Sequence, residues 1–154
     1  MTGRIFQLNR SGGGVPKLPV REIAIGPLGL EGDVQKHIKF HGGPERAVCL
    51  YSLELIQALQ AEGHLIYPGA TGENVTVSGI EWAAVVPGSR FELGPDVIVE
   101  VTRYTEPCKQ IAGSFVDRTF RRIDQTRQAG WSRVYARVIR TGHVQVGQRV
   151  LLVQ

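Results

Sequence analysis

Residues 90–101 read Arg-Phe-Glu-Leu-Gly-Pro-Asp-Val-Ile-Val-Glu-Val, the pattern of two short strands joined by a turn. Apolar and β-branched residues dominate both runs, and the Gly94-Pro95 pair interrupts them. Further strand-like stretches occur at residues 3–10, 20–25, 47–51, 74–77, 85–86, 131–139 and 144–153. Many short strands separated by glycine and proline turns predict a mainly β fold. Because closing the sheet would remove its exposed edges, we expect a closed or nearly closed β-barrel.

Two segments have helical character. Residues 53–62 place apolar side chains on one helical face, between Ser52 as the N-cap and Gly63 at the end. Residues 117–128 are polar and rich in arginine, with two apolar residues three positions apart, and predict a surface helix. We therefore expect two or three short helices in addition to the barrel.

The composition is that of a soluble domain. The chain has 154 residues, 42% of them hydrophobic and 21% charged, which predicts one domain over residues 1–154 and excludes an extensively disordered protein. No apolar run reaches the roughly 18 residues of a transmembrane helix and no signal peptide is visible, so we expect a cytoplasmic protein without membrane association. Two cysteines, Cys49 and Cys108, cannot supply a disulfide framework or a zinc site of three or four cysteines.

Charge is distributed unevenly along the chain. Residues 1–102 hold 8 Lys and Arg against 11 Asp and Glu, whereas residues 103–154 hold 10 against 3. Because arginine suits bidentate binding of phosphate or carboxylate, the final third is either a local anion site or a solvated basic face. Nucleic-acid binding is not favoured, since aromatic residues make up 7% of the chain and no aromatic-basic strand motif occurs.

Cys108 is the first candidate for chemistry. It lies in Thr-Glu-Pro-Cys-Lys-Gln, residues 105–110, a loop that directly follows a predicted strand. Arg103 and Lys109 are near it in sequence, and neighbouring cations favour the thiolate, the form that attacks sulfur or carbon and binds soft metals. The alternative is an incidental loop cysteine. Cys49 lies inside an apolar run and is predicted to be a small core residue.

Two further groups of polar residues leave alternatives open. Asp33, His37 and His41 are spaced four apart, as metal ligands on one helical face would be. Gly42, Gly43 and Pro44 would end any helix directly after His41, so such a helix could have only one or two turns. This favours a hydrogen-bonding role for His41. The Glu73-Asn74 pair precedes a predicted strand, where it could bind a polar ligand or tie down its own turn.

Four blocks of the sequence, taken in order, resemble the MOSC domain family, named for the C-terminal domain of molybdenum-cofactor sulfurases. The blocks are Gly29-Leu30-Glu31-Gly32-Asp33, His41-Gly42-Gly43-Pro44-Glu45-Arg46-Ala47-Val48, Pro68-Gly69-Ala70-Thr71-Gly72-Glu73-Asn74 and Glu106-Pro107-Cys108. The segment Tyr135-Ala136-Arg137-Val138, with Gly142 and Val146-Gly147, also resembles the closing strands of that family. The resemblance covers nearly the whole chain and implies a single β-barrel domain whose functional cysteine is Cys108.

The resemblance also implies a molybdenum cofactor (molybdopterin). In such proteins the cysteine is proposed to ligate the molybdenum of a pterin cofactor or to carry sulfane sulfur. Cys108 would then be the metal ligand and a catalytic residue, His41 would hydrogen-bond the pterin or move protons, and the Arg-rich final third would hold the cofactor's phosphate. The residues expected to contact the cofactor are Arg103, Lys109, Glu73, Asn74, Gly42, Gly43 and Asp33.

Two functional hypotheses follow from this resemblance. The first is reduction of N-hydroxylated compounds with electrons from a donor protein. The second is a non-catalytic sulfur carrier, in which Cys108 receives a persulfide from a pyridoxal-phosphate-dependent cysteine desulfurase. Pyridoxal phosphate is expected only on that partner, because no lysine of this chain stands out as a Schiff-base residue.

Overall fold

The computed structural model describes residues 1–34 and 43–154. Within these residues the chain is mainly β, and several strands alternate buried and exposed side chains, as strands with one face on the core do. The strands are β1 (Thr2–Arg10), β2 (Leu18–Val20), β3 (Glu22–Gly26), β4 (Gly29–Leu30), β5 (Val48–Ser52), β6 (Val75–Ser78), β7 (Arg90–Leu93), β8 (Val97–Tyr104), β9 (Val134–Arg140), β10 (Gly142–Gln145) and β11 (Arg149–Val153).

Seven of these strands form a closed barrel. Within the described residues their order is β1, β6, β5, β9, β8, β7 and β11, and β11 pairs with β1 to close the ring. The closure pairs Gly3 with Val150, which joins the two ends of the chain in one antiparallel ladder. This confirms the predicted mainly β barrel. Closure leaves none of the seven strands as an open edge.

Two smaller features complete the β structure. β10, β3 and β4 form a separate three-stranded sheet, and β2 pairs with the end of β1. The stretch predicted as one strand over residues 20–25 is therefore divided between β2 and β3. The stretch 144–153, predicted as a turn and a final strand, contains the end of β10, a turn at residues 146–147 and β11, so this prediction is confirmed.

The helix α1 (Leu53–Ala61) follows β5 directly. β5 and β6 are parallel neighbours, so the chain must cross over between them, and α1 lies in that crossover. The Ser52 hydroxyl accepts a backbone N–H of the first turn at 3.2 Å, and Gly63 follows with a φ of 100°. Ile56 and Leu59 are fully buried against the barrel core. The predicted helix and its capping residues are confirmed.

The prediction of a second helix, over residues 117–128, is wrong. The chain there forms two separate 3-10 helices, Val116–Arg118 and Phe120–Ile123. Asp117 and Arg118 have φ values of 53° and 59°, a left-handed backbone through which an α-helix cannot continue.

Three more 3-10 helices occur among the described residues, namely Pro44–Arg46, Trp82–Ala84 and Lys109–Ser114. Residues 85–86, predicted as a strand, do not form one, and the Val85 N–H instead caps the Trp82–Ala84 helix by donating to Trp82 O at 2.9 Å. None of the helices in the described part of the chain has the length and apolar character needed to cross a bilayer.

Candidate functional site

A cavity of about 410 Å³ opens beside Cys108. It lies where β8 ends and the loop to Cys108 begins, and it draws side chains from three separate parts of the sequence. Among the described residues its lining includes Arg46, Arg103, Tyr104, Glu106, Cys108 and Tyr135. The volume lies in the range of small-molecule sites, and the wall combines a thiol with two guanidinium groups and a carboxylate.

The loop that carries Cys108 is anchored on both sides. Before the cysteine, the Thr105 N–H donates to Arg133 O at 2.9 Å, and Ser132 Oγ donates to Thr105 O at 3.2 Å. After it, the Ile111 N–H donates to Cys108 O at 3.1 Å, and the Ile111 side chain is buried. Cys108 itself is partly exposed. The structure thus holds this residue at the cavity wall, within reach of solvent.

Strand pairing brings Arg103 and Tyr135 to the same wall. The two residues are direct partners in the β8–β9 ladder, and both line the cavity. On the other side of β9, Tyr135 is paired with Cys49 of β5. Burial raises the pKa of the Tyr135 phenol above its ordinary value. The phenol is therefore a neutral hydrogen-bond donor at physiological pH.

Arg46 reaches the cavity from the short 3-10 helix that precedes β5. Gly43 begins this turn with a φ of 90°, a left-handed conformation that favours glycine. The Thr102 hydroxyl of β8 donates to Glu45 O at 2.6 Å and so fixes the turn against the barrel. The Arg46 guanidinium carbon lies 5.9 Å from the centroid of the Tyr135 ring, within the range of a cation–π contact.

Cys49 is a buried residue of β5 and does not line the cavity. Burial raises the pKa of its thiol, against the lowering effect of the Arg133 charge. Its Sγ lies 3.9 Å from Thr105 Oγ1. Cys49 is therefore a neutral core thiol, as its apolar sequence neighbours indicate.

Glu73 is fully buried, and its carboxylate accepts hydrogen bonds from its own loop and strand. Oε2 accepts from the Gly69 N–H and from Thr76 Oγ1, both at 3.0 Å, and Oε1 accepts from Thr71 Oγ1 at 3.2 Å. Burial raises the pKa of Glu73, and these hydrogen bonds act in the opposite direction. Of the two interpretations left open for this residue, the geometry favours the one in which it ties down its own turn.

Asn74 and Asp33 belong to a second buried network. Asn74 Nδ2 donates to Asp33 Oδ2 at 2.9 Å, and Asn74 Oδ1 accepts from the Cys49 N–H at 2.9 Å. The same Asp33 oxygen pairs with Lys17 Nζ at 2.8 Å, and both side chains of that ion pair are 4% exposed. The network ties β5 to the loops that contain Lys17 and Asp33.

The residues predicted for the site thus fall into three groups. Cys108 and Arg103 line one cavity, whereas the neighbouring Lys109 is exposed and does not line it. Four others are placed outside the lining, in the turn before β5 or in the buried networks: Gly43, Asp33, Glu73 and Asn74. His37, His41 and Gly42 lie outside the described residues. Within residues 1–34 and 43–154 no group of three or more His, Cys, Asp or Glu side chains could hold a metal ion.

Five residues of the cavity lining were not predicted as site residues from the sequence: Arg46, Tyr104, Glu106, Pro107 and Tyr135. Arg46 belongs to one of the sequence blocks quoted above, and Tyr135 lies in the alternating run over residues 131–139. Arg46 precedes β5, Tyr135 lies on β9 and Arg103 on β8, so only the folded barrel, in which β9 pairs with both β5 and β8, brings Arg46 and Tyr135 to the cavity of Cys108.

None of the eight arginines that follow Cys108, all of which the structure describes, lines this cavity, and four of them line another pocket. A second pocket, of about 470 Å³, is lined by residues that include Arg118, Phe120, Arg121, Arg122, Arg127 and Gln128. It shares no described lining residue with the first cavity. Of the arginines in residues 103–154, Arg103 is the one that lines the Cys108 cavity.

Comparison with known proteins adds four findings. The model of the MOSC domain matches residues 37–151. YflK of Bacillus subtilis is 32% identical over 143 residues, which covers 90% of this chain and 62% of YflK. A reductase of Gibberella moniliformis is 33% identical over 119 residues, which covers 74% of this chain and 21% of the reductase. The solved structure of YiiM from Geobacillus stearothermophilus matches with a TM-score of 0.76 and 26% identity, covering 99% of this chain and 75% of YiiM. This chain therefore spans less than two thirds of the two curated relatives.

Proposed function

Because this chain belongs to the MOSC domain family, we propose that it binds a molybdenum cofactor through Cys108 and reduces N-hydroxylated compounds. The observation that carries the proposal is the cavity whose lining includes Cys108, Arg46 and Arg103. The similarity to a protein named a reductase supports a reducing activity.

The cavity fits an anionic cofactor that contains a soft metal. Thiolate sulfur is a preferred ligand of soft metals, and Cys108 is partly exposed at the cavity wall. Arg46 and Arg103 add two guanidinium groups, which bind phosphate oxygens in a bidentate manner. Cys108 would hold the metal, and the two arginines would hold the phosphate. When bound, such a cofactor supplies two-electron redox chemistry.

The chain's own contribution to the reaction would be a hydrogen bond from Tyr135. The overall reaction converts R–NH–OH, two electrons and two protons into R–NH₂ and water, so the N–O bond breaks and the oxygen leaves as water. The electrons come from a donor protein. Tyr135 remains protonated because burial raises its pKa, and its phenol would donate a hydrogen bond to the departing oxygen.

An activity assay with two cysteine variants tests the proposal. The full chain, purified from a host that makes the cofactor, is incubated with an N-hydroxylated base and a reduced viologen dye. We expect the wild type to form the amine and Cys108→Ala to lose at least about 100-fold in rate. Cys49→Ala, the matched control at the buried thiol, should keep the activity. Full activity of Cys108→Ala, or no amine from molybdenum-containing wild type, would contradict the proposal.

The partial exposure of Cys108 also favours a second candidate, the sulfur carrier. The Cys108 thiolate would attack the outer sulfur of a persulfide on a pyridoxal-phosphate-dependent cysteine desulfurase. The S–S bond of the donor breaks, a Cys108–S–SH persulfide forms, and the donor thiolate leaves. After incubation with the desulfurase and cysteine, mass spectrometry should find one added sulfur on Cys108. Wild-type protein without that added sulfur would exclude this candidate.

A further inference from the structure

The second pocket contains more positive charge than its surroundings neutralise. We name it the arginine pocket and define it by Arg118, Phe120, Arg121, Arg122 and Arg127. It lies outside the cavity of Cys108, and the proposed reduction does not use it. Four guanidinium groups around one volume of about 470 Å³ repel one another unless anions offset them.

Two of the four arginines have partners within the protein. Arg122 donates from Nε and Nη2 to the Glu62 carboxylate at 3.0 and 2.7 Å, and its guanidinium carbon lies 3.9 Å from the Trp131 ring centroid. Arg121 Nη1 lies 3.3 Å from Asp124 Oδ2. Glu62 and Asp124 therefore account for two of the four charges, and Arg122 acts as a fixed part of the wall.

Arg118 and Arg127 carry the two charges of the pocket that no acidic side chain among the described residues offsets. Both are exposed, both line the pocket, and neither side chain makes a hydrogen bond or ion pair with any residue in the described part of the chain. Asp117, the acidic residue next to Arg118, is exposed and does not line the pocket. The pocket thus offers two guanidinium groups to an external anion.

The pocket also has an aromatic wall. Phe120 is partly exposed, and the Arg121 guanidinium carbon lies 5.4 Å from its ring centroid. The frame around it is fixed, because the Val116 N–H donates to His64 Nδ1 at 3.1 Å and the His64 ring lies 5.2 Å from Phe115. An aromatic face beside two free guanidinium groups suits a ligand that has both a planar ring and a phosphate.

We propose that the arginine pocket binds a phosphorylated aromatic small molecule of the nucleoside monophosphate class. Arg118 and Arg127 bind the phosphate, and Phe120 contacts the ring. The pocket volume of about 470 Å³ lies within the range of small-molecule sites, which favours a free nucleotide over a polymer or a protein surface.

Calorimetric titration of the full chain with adenosine 5′-monophosphate tests this site. We expect wild-type protein to bind it, and to bind adenosine or inorganic phosphate at least about tenfold more weakly, because each lacks half of the contacts. Arg118→Gln and Arg127→Gln should each weaken binding of the monophosphate about tenfold. Arg149→Gln, which removes one exposed charge on β11, is the matched control and should bind as wild type does.

Four outcomes would overturn the proposal. The first is that the wild type shows no binding, and the second is that the Arg118→Gln/Arg127→Gln double variant binds as the wild type does. The third is that Arg103→Gln abolishes binding, which would place the nucleotide in the Cys108 cavity. The fourth is that only an oligonucleotide or an acidic protein binds and the monophosphate does not. Cys108→Ala should leave the affinity unchanged, so failure of the proposed reductase activity and failure of this site remain separate results.

Discussion

Arg103 and Tyr135 are direct partners in the β8–β9 ladder, and both side chains line the cavity that contains Cys108. A register shift between Val101 and Arg103 immediately precedes the pair. Such irregularities change the direction in which a strand presents its side chains. Part of the cavity lining is therefore built on strands of the closed barrel, and the Cys108 loop is added to this rigid platform.

Removal of the Tyr135 hydroxyl tests its role as hydrogen-bond donor. We expect Tyr135→Phe to lower the rate of amine formation about tenfold or more while molybdenum content stays unchanged, since the variant loses only the phenol proton. Because burial raises the pKa of this phenol above its ordinary value of about 10, the proton is held throughout neutral pH and lost only above the raised pKa. The wild-type rate should therefore show no loss from phenol ionisation below about pH 10.

Tyr67→Phe is the matched control for that experiment. Tyr67 is 49% exposed and does not line the cavity, so its variant should keep the wild-type rate. Equal rates for wild type, Tyr67→Phe and Tyr135→Phe would show that Tyr135 does not act as the hydrogen-bond donor.

The buried carboxylate of Glu73 predicts a loss of stability on truncation. Glu73→Ala removes the acceptor of the Gly69 N–H and of two threonine hydroxyls. We expect the free energy of unfolding in urea to fall by about 2–4 kcal/mol, because buried donors are left without partners. Glu73→Gln keeps an oxygen in place and should recover most of that loss. A Glu73→Ala variant as stable as wild type would contradict the hydrogen-bonded arrangement.

Glu73 also predicts a pH dependence. Its pKa is raised by burial in the folded protein, whereas in the unfolded chain it titrates near its ordinary value of about 4.3. Between these two pKa values the folded protein binds more protons than the unfolded chain, so the free energy of unfolding falls as pH rises. Glu73→Gln has no such titration. The stability of this variant relative to wild type should therefore increase from about pH 4 to pH 7, and a constant difference would show that Glu73 has no raised pKa.

The ion pair of Lys17 and Asp33 predicts that the protein loses much of its stability when one partner is removed. Both side chains are 4% exposed. Lys17→Met leaves the Asp33 carboxylate buried without this cation, and we expect the free energy of unfolding to fall by about 3–5 kcal/mol. Lys109→Met, at an exposed lysine, should change it by less than about 0.5 kcal/mol. Urea unfolding of both variants measures the difference, and similar small effects would show that the pair is solvated.

Local patterns predicted much of the fold. The alternating runs over residues 3–10, 90–93 and 97–101 form β1, β7 and β8, and Ser52 and Gly63 bound α1 as their residue types indicate. The prediction of a helix over 117–128 was wrong because the backbone is left-handed at Asp117 and Arg118, which charge and spacing alone do not reveal. β1 and β11 close the barrel by a contact between segments that are distant in sequence. A general preference for closed sheets predicts that the barrel closes, but it does not predict which residues of the two strands pair.

The sequence predicted only part of the candidate site, because the rest of the site also depends on contacts between distant segments. Cys108 and Arg103 are close in sequence, and a strand followed by an anchored loop brings both to one cavity. Lys109 begins a 3-10 helix directly after Cys108, and its side chain is exposed outside the cavity lining. Arg46 and Tyr135 reach the cavity from other strands and turns, and only the barrel order identifies them.

Molybdenum content per chain tests the central claim most directly. The wild type, Cys108→Ala and Cys49→Ala are purified from the same cofactor-producing host, and their metal content is measured by elemental mass spectrometry. We expect close to one molybdenum per chain in wild type and in Cys49→Ala, and almost none in Cys108→Ala, because the partly exposed thiol is the proposed metal ligand. Wild-type protein without molybdenum, or Cys108→Ala with the wild-type amount, would contradict the account.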